Sequence, residues 1–326
     1  MIDRRTLLGT LAALPMLGTG ACAATSRQPL SSAAATHTRP IPGANEQVPV
    51  IGVGTARRFQ GASSEEQLAP LRAAITRFVE LGGRLIDTAP SYGDAEQVIG
   101  RLVEELGVSD RLFLATKVAG ANAAEAQTQI EQSFRNLRTR HIDLIALHNQ
   151  QDAINKLAVL RELKAQGRVR SIGASISSQA GFAPTIDAVS SAPGQAEQYA
   201  GFEELMRRER LDVIQVDYAI DNRGASERIL PLAQEQGLAV MVNLPFGRGR
   251  LLQATQGRPL PDWASEIGAK TWAQVCLKYI VSHPVRPIAI PGMAQARYVE
   301  DNMGAARGPL PDAAMRRRME QYIDAL

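Results

Sequence analysis

Ile142-Asp143-Leu144-Ile145-Ala146-Leu147-His148 is an apolar run too short for an ordinary helix, and it ends on a polar side chain. Seven other stretches look the same. Val48–Gly54, Arg84–Thr88 and Leu112–Val118 precede it; Val169–Ser175, Val213–Tyr218, Ala239–Leu244 and Pro287–Ile290 follow it. Short, nearly continuous apolar runs suit strands buried on both faces of a parallel sheet. Helical periodicity fills the gaps. Leu68–Leu81 carries Leu71, Ala74, Ile75, Phe78, Val79 and Leu81 on one face, and Ile154–Ala165 carries Ile154, Leu157, Ala158, Leu160 and Leu163 before a stop at Gln166-Gly167. Eight strand-helix alternations predict an α/β fold, a closed eight-stranded parallel (β/α)8 TIM barrel, over an open doubly wound sheet. An open sheet with a dinucleotide site would want G-x-G-x-x-G after its first strand, and Gly52-Val53-Gly54 lacks the third glycine.

Composition narrows the class. The chain has 326 residues, 45% hydrophobic and 21% charged, which excludes intrinsic disorder and allows a large core. Lys and Arg number 36 against 33 Asp and Glu, a net +3 with no polybasic block, so nucleic acid is not an expected partner. No apolar run reaches the ~20 residues of a membrane-spanning helix. Two cysteines, Cys22 and Cys276, cannot build a disulfide framework, and Cys276 lies in the apolar helical stretch Trp272–Ile280 as a packing residue.

The N-terminus reads as an address. Asp3-Arg4-Arg5-Thr6-Leu7-Leu8 precedes a soft apolar stretch to Ala24, and Ala21-Cys22-Ala23 offers small residues for cleavage. Residues 1–23 are therefore expected to be a twin-arginine-type signal that delivers the protein to the periplasm; the alternative is an uncleaved membrane anchor. Residues 24–46, rich in Ala, Ser, Thr and Pro, read as a disordered tether, and 47–326 as the barrel. Ser177–Gly194 reads as an insertion on the active-site face with mobile-loop character.

In such a barrel, chemistry projects from the C-terminal ends of strands. Those ends supply Asp87 and Tyr92, Lys117, and His148, from three consecutive strands. Singly, each has a structural explanation: a helix cap, a loop aromatic, a surface charge, a core histidine. Four at one mouth favour a common site. The four histidines show no metal-ligand spacing, and Gly173-Ala174-Ser175-Ile176-Ser177 fails the nucleophile pattern G-x-S-x-G at its last position.

Ile86-Asp87-Thr88-Ala89-Pro90-Ser91-Tyr92-Gly93 with Glu96 and Gly100 resembles the signature of the aldo-keto reductases. Ala115-Thr116-Lys117, Asp143-Leu144 through Leu147-His148-Asn149, and Leu160-Arg161-Glu162-Leu163 through Gly167-Arg168-Val169-Arg170 follow in order. So do Gly173-Ala174-Ser175, Gln215 with Tyr218, and Ile290-Pro291-Gly292 with Asp301-Asn302. Val242–Gly247 further resembles an exported bacterial branch of that family. The resemblance implies hydride transfer from NADPH, or NADH, to a small aldehyde or ketone, without a metal. It makes Tyr92 the general acid, with Lys117 lowering the phenol's pKa from ~10, Asp87 holding Lys117, and a neutral His148 orienting the carbonyl.

The resemblance also implies a cofactor site. Ser175 and Gln215 would bind the nicotinamide carboxamide, although Ile176 stands where the family has Asn. Asn243-Leu244 replaces the family's stacking ring, leaving Phe246 or hydrogen bonds to take its place. Pro245, Phe246, Gly247 and Arg248, with Gly249 and Arg250, would form the pyrophosphate loop, where the arginines neutralise charge. Gly54, Thr55, Pro291, Gly292, Met293, Asp301 and Asn302 would also contact the cofactor. Arg297 would meet the adenosine end, with Tyr298 one position later where the usual arginine falls. The non-catalytic alternative is a nicotinamide-binding barrel acting as a redox sensor or partner with little turnover.

The address is testable by itself. Arg4→Lys with Arg5→Lys should hold the full-length chain in the cytoplasm, whereas the unaltered chain should be exported and begin near Ala24 by mass spectrometry. Export and shortening of the double variant would show that the arginine pair is not read.

Overall fold

The apolar runs pair side by side in chain order. β3 (Val53–Gly54), β4 (Leu85–Asp87), β5 (Phe113–Val118), β6 (Ile142–Leu147), β7 (Val169–Ile176), β8 (Val213–Asp217), β9 (Ala239–Asn243) and β10 (Ile288–Ala289) make one parallel sheet. Parallel bridges Ile51–Ala289 and Gly54–Gly292 join its two edges and close the barrel. The computed structural model describes residues 35–44, 46–177 and 195–326.

Closure sorts the side chains into two cores, because successive residues of a strand face opposite ways. Leu85, Phe113, Ala115, Leu144, Val213, Met241, Ile288 and Ile290 fill the lumen. Ile86, Leu114, Ile145, Val216, Val240 and Val242 face outward onto the helices. Two residues beyond a lumen position the side chain returns to the axis. Leu85, Ala115, Val213 and Met241 are thus followed, at the C-terminal mouth, by Asp87, Lys117, Gln215 and Asn243. The sequence of each strand therefore sets what stands in the mouth.

The helices form where the periodicity predicts. α1 (Glu65–Glu80) begins at a capping box between Ser64 and Gln67 and buries Leu68, Leu71, Ala74, Ile75, Phe78 and Val79. α2 (Ala95–Leu106) and α3 (Ala123–Asn136) cross closely at Gly100, where a Cβ would lie 2.2 Å from the Asn136 carbonyl oxygen. α4 (Ala153–Ala165) stops before Gly167 as expected. Cys276 is a buried packing residue, and burial pushes its thiol up to about 12.

The N-terminal part differs from the sequence reading. Residues 38–49 are neither a tether nor the start of the first barrel strand. β1 (Thr38–Ile41) and β2 (Glu46–Pro49) form an antiparallel hairpin across the lower end of the barrel. Ile41, Ala44 and Val48 join the lumen cluster and plug it. Glu46 pairs with Arg84 and with Arg170, each at 2.7 Å, and Ser171 Oγ donates to the Pro42 carbonyl at 2.9 Å. Small and polar residues hide this hairpin, because its apolar positions number only a few and their partner is the open floor of the barrel. The predicted signal and most of the Ser177–Gly194 stretch lie outside the described residues.

Gly100→Ala tests the closest helix crossing. Its methyl group must push α2 from α3, which should destabilise the fold by about 1–3 kcal/mol in urea unfolding despite the better helix propensity of Ala. Unchanged or increased stability would show that the two helices separate at no cost.

Candidate active site

Lys117 is 2% exposed, at the end of β5 above the apolar lumen. A charge buried that deeply needs partners, and it has three. Its Nζ donates to Asp87 Oδ1 at 2.8 Å, Asp87 Oδ2 at 2.7 Å and the Thr88 carbonyl at 2.9 Å. Gln215 Nε2 adds a longer bond to Asp87 Oδ2 at 3.3 Å, and Thr55 Oγ1 fixes the Asp87 backbone carbonyl at 2.9 Å. Burial is the largest single influence and works against the ammonium, yet the charges and hydrogen bonds of Asp87 and Tyr92 together outweigh it and hold Lys117 above the ordinary lysine value. Burial also pushes the Asp87 carboxyl up, against the pull of Lys117.

Tyr92 comes from the loop after β4, with Lys117 Nζ 5.2 Å from its ring centroid. Its ring meets His148 edge to face, centroids 5.9 Å apart. His148 ends β6, and its Nδ1 lies 3.3 Å from Ser91 Oγ, which leaves Nε2 as the ring nitrogen facing a ligand. Burial, with the Lys117 charge behind it, lowers His148 to about 4. The imidazole is neutral at pH 7. All four residues expected at strand ends thus meet at one mouth.

One electrostatic expectation is corrected. Burial is the largest influence on Tyr92 and holds its phenol above the ordinary value, although Lys117 does pull it down. The phenol therefore carries its proton at neutral pH.

The cofactor candidates divide. Ser175 and Gln215 are buried side by side in register on β7 and β8. Asn243 Oδ1 is buried and has no hydrogen-bond partner among the described residues. The loop after β9 has positive φ at Leu244 (51°), Gly247 (54°), Arg248 (58°) and Gly249 (98°). The loop closes on itself, with Gly247 N–H donating to the Leu244 carbonyl and Gly249 N–H to the Phe246 carbonyl, each at 2.9 Å. Pro245 is buried in this loop and Arg248 is exposed. One of the loop's expected roles changes. Arg250 is held by Asp221, Nε at 2.8 Å and Nη2 at 2.6 Å, so its charge is already matched. Phe246 is half-buried against the larger apolar cluster, on which Tyr92 also packs.

Other positions have structural duties. Gly54 lies at the barrel seam, where a Cβ would come within 2.6 Å of the Ile290 carbonyl oxygen. Pro291 and Met293 are buried, and Asn302 is 4% exposed. Asp301 accepts from Thr271 Oγ1 at 2.8 Å and Gln274 Nε2 at 2.9 Å. Arg297 is exposed, its guanidinium 4.8 Å from the centroid of the Tyr298 ring and bonded to the Tyr298 hydroxyl at 3.2 Å. The sequence reading missed Arg58, whose side chain covers Gly292, and the contact of Ser91 with His148. Arg58 follows Thr55 closely enough for its charge to have been noticed; nothing in the sequence pairs Ser91 with His148. Among the described residues no three His, Cys, Asp or Glu side chains are grouped to hold a metal ion.

The buried His148 gives a pH signature. Its value falls from 6.5 unfolded to about 4 folded, so the unfolded chain binds a proton that the folded chain refuses between those limits. Stability should therefore fall as pH drops from 6.5 towards 4, and His148→Asn should flatten part of that slope in urea titrations. An identical slope in the variant would place the titration elsewhere.

Comparison with known proteins agrees with this arrangement. The model of the aldo/keto reductase family matches residues 50–322. Methylglyoxal reductase YeaE of Escherichia coli (strain K12) is 30% identical over 279 residues, covering 82% of this chain and 89% of that protein. An aldo-keto reductase from Klebsiella pneumoniae, solved in complex with NADPH, superposes with a TM-score of 0.71 at 25% identity, covering 89% of this chain and 95% of that one. A second Klebsiella pneumoniae structure, with NADP and acetate, gives 0.70 at 25% identity over 89% and 96% of the two chains. With the barrel closed and Tyr92, Lys117, Asp87 and His148 gathered at its mouth, the chain belongs to the aldo/keto reductase family and is an oxidoreductase.

Proposed function

We propose that this reductase converts a small aldehyde or ketone to the alcohol at the expense of NADPH, with Tyr92 as the proton donor. The observation that carries the reading is a protonated phenol and a buried ammonium facing the same opening as a neutral imidazole. The protein also fits a dinucleotide. Asn243 Oδ1 lacks a partner among the described residues, and the loop after β9, with Gly247 and Gly249 in left-handed conformations, lets the backbone come close to a pyrophosphate. Ser175, Gln215 and Asn243 would hold the nicotinamide end, and Arg297 a 2′-phosphate. When bound, the reduced nicotinamide supplies the hydride.

The chain's own groups supply the rest. The neutral His148 donates from Nε2 to the substrate oxygen and orients the carbonyl. Tyr92 gives its proton to that oxygen as negative charge grows there. The phenolate that results faces Lys117, whose charge Asp87 keeps in place. Charge is thus stabilised where it develops, by groups fixed before the reaction begins. The sequence similarity to a methylglyoxal reductase makes a small 2-oxoaldehyde the first substrate to try.

Tyr92→Phe separates chemistry from binding. It removes one oxygen and keeps the ring, so NADPH affinity should hold while kcat falls by about 10²–10⁴. NADPH oxidation against methylglyoxal and 4-nitrobenzaldehyde, beside NADPH binding by fluorescence, is the measurement. Equal turnover by the variant overturns Tyr92 as the acid. Wild-type protein that binds NADPH and reduces neither compound favours the sensor alternative.

A further inference from the structure

Asn243 stands where the family places a stacking ring, and its surroundings are those of a hydrogen-bonding group. It ends β9 two residues beyond Met241, which lies in the lumen, so its side chain faces the axis at the mouth. Its Oδ1 is buried and has no partner among the described residues. An acceptor left that way is costly, and a ligand that donates to it recovers the loss. The next residue, Leu244, has φ of 51°, a conformation that non-glycine residues rarely take, and the chain turns sharply away there.

The neighbours define what the ligand group must be. Asp217 lies opposite Asn243 in the β8–β9 register, so the place beside Asn243 already holds an acceptor and calls for an N–H. One strand over, Gln215 donates one amide N–H to Asp87 and keeps its carbonyl Oε1 for a ligand. Gln215 pairs with Met241, which puts Asn243 about 6.6 Å nearer the opening, two strand residues along. Two side-chain carbonyls on adjacent strands can accept the two N–H bonds of one primary amide.

We propose that Asn243 holds the nicotinamide by its carboxamide, Oδ1 accepting one N–H while Gln215 Oε1 accepts the other, so that hydrogen bonding replaces ring stacking in this chain. The proposal rests on the nicotinamide reading above. It makes binding depend on the carboxamide nitrogen to a degree that a stacking site would not.

The test is a binding cycle between protein and ligand. The ligands are NADP⁺, its thionicotinamide analogue, which keeps the NH₂, and its 3-acetylpyridine analogue, which has a methyl group there. Dissociation constants are measured by calorimetry for wild type, Asn243→Leu and, should that variant fold poorly, Asn243→Ala. Wild type should bind the acetylpyridine analogue at least tenfold more weakly than NADP⁺ and the thio analogue nearly as well as NADP⁺. Asn243→Leu should bind NADP⁺ about three- to tenfold more weakly and lose the same factor from its discrimination against acetylpyridine. A variant that keeps full discrimination, or binds NADP⁺ as wild type does, overturns the role of Asn243 and leaves the cofactor reading intact. Wild type that binds none of the three overturns both.

Discussion

A lysine ammonium and an aspartate carboxylate face one another inside an apolar tube, and that contact constrains everything around it. Lys117 and Asp87 are almost wholly buried, above a lumen filled by Leu85, Phe113, Ala115, Leu144 and Met241. Charges removed from water are costly, and only close geometry and further hydrogen bonds offset the cost. The barrel supplies both. β4 and β5 are adjacent, which brings the two groups within bonding distance, and Thr88 and Gln215 satisfy what remains. The field that results fixes Lys117 as a cation, contributes to keeping His148 neutral, and gives Tyr92 a positive neighbour. The chemistry of the mouth is the consequence of one pair being unable to leave.

The family signature mixes two kinds of residue, and the structure separates them. Glu96 accepts from Thr116 Oγ1 at 2.7 Å and from Asn136 Nδ2 at 3.1 Å, tying the start of α2 to β5 and to the end of α3. Gly100 lets the same two helices touch. Neither approaches the mouth. Both lie in the helix that follows the loop carrying Tyr92, so packing on the outside of the barrel bears on where that loop sits.

The eight strands, the helices between them and the four groups at the mouth were legible because each follows from a local rule. A strand with Leu85 and Asp87 two apart must place both on one face. What escaped the sequence was non-local. The hairpin of residues 38–49 is stabilised by a floor that exists only once β4, β5 and β7 have closed, so its sparse apolar residues carry no signal of their own. The pairing of Arg250 with Asp221 joins two loops 29 positions apart, and it removed a cation from the phosphate loop. The direction of the Tyr92 shift failed for a related reason. A nearby charge can be guessed from spacing, but the depth of burial that outweighs it cannot.

The hairpin has a consequence for protons. With Ile41 and Val48 closing the floor, the lumen formed by the described residues is plugged below and Lys117 stands at its upper end, at the mouth beside Tyr92 and His148. Hydrogens on the Lys117 ammonium would then exchange with bulk water through that mouth. A ligand lying across it would act as a stopper, and the ammonium would then share its protons with the phenol and with whatever the phenol touches before it shares them with solvent. The lower end of the barrel, far from any substrate, thereby decides how long the site remembers the isotope it was last filled with.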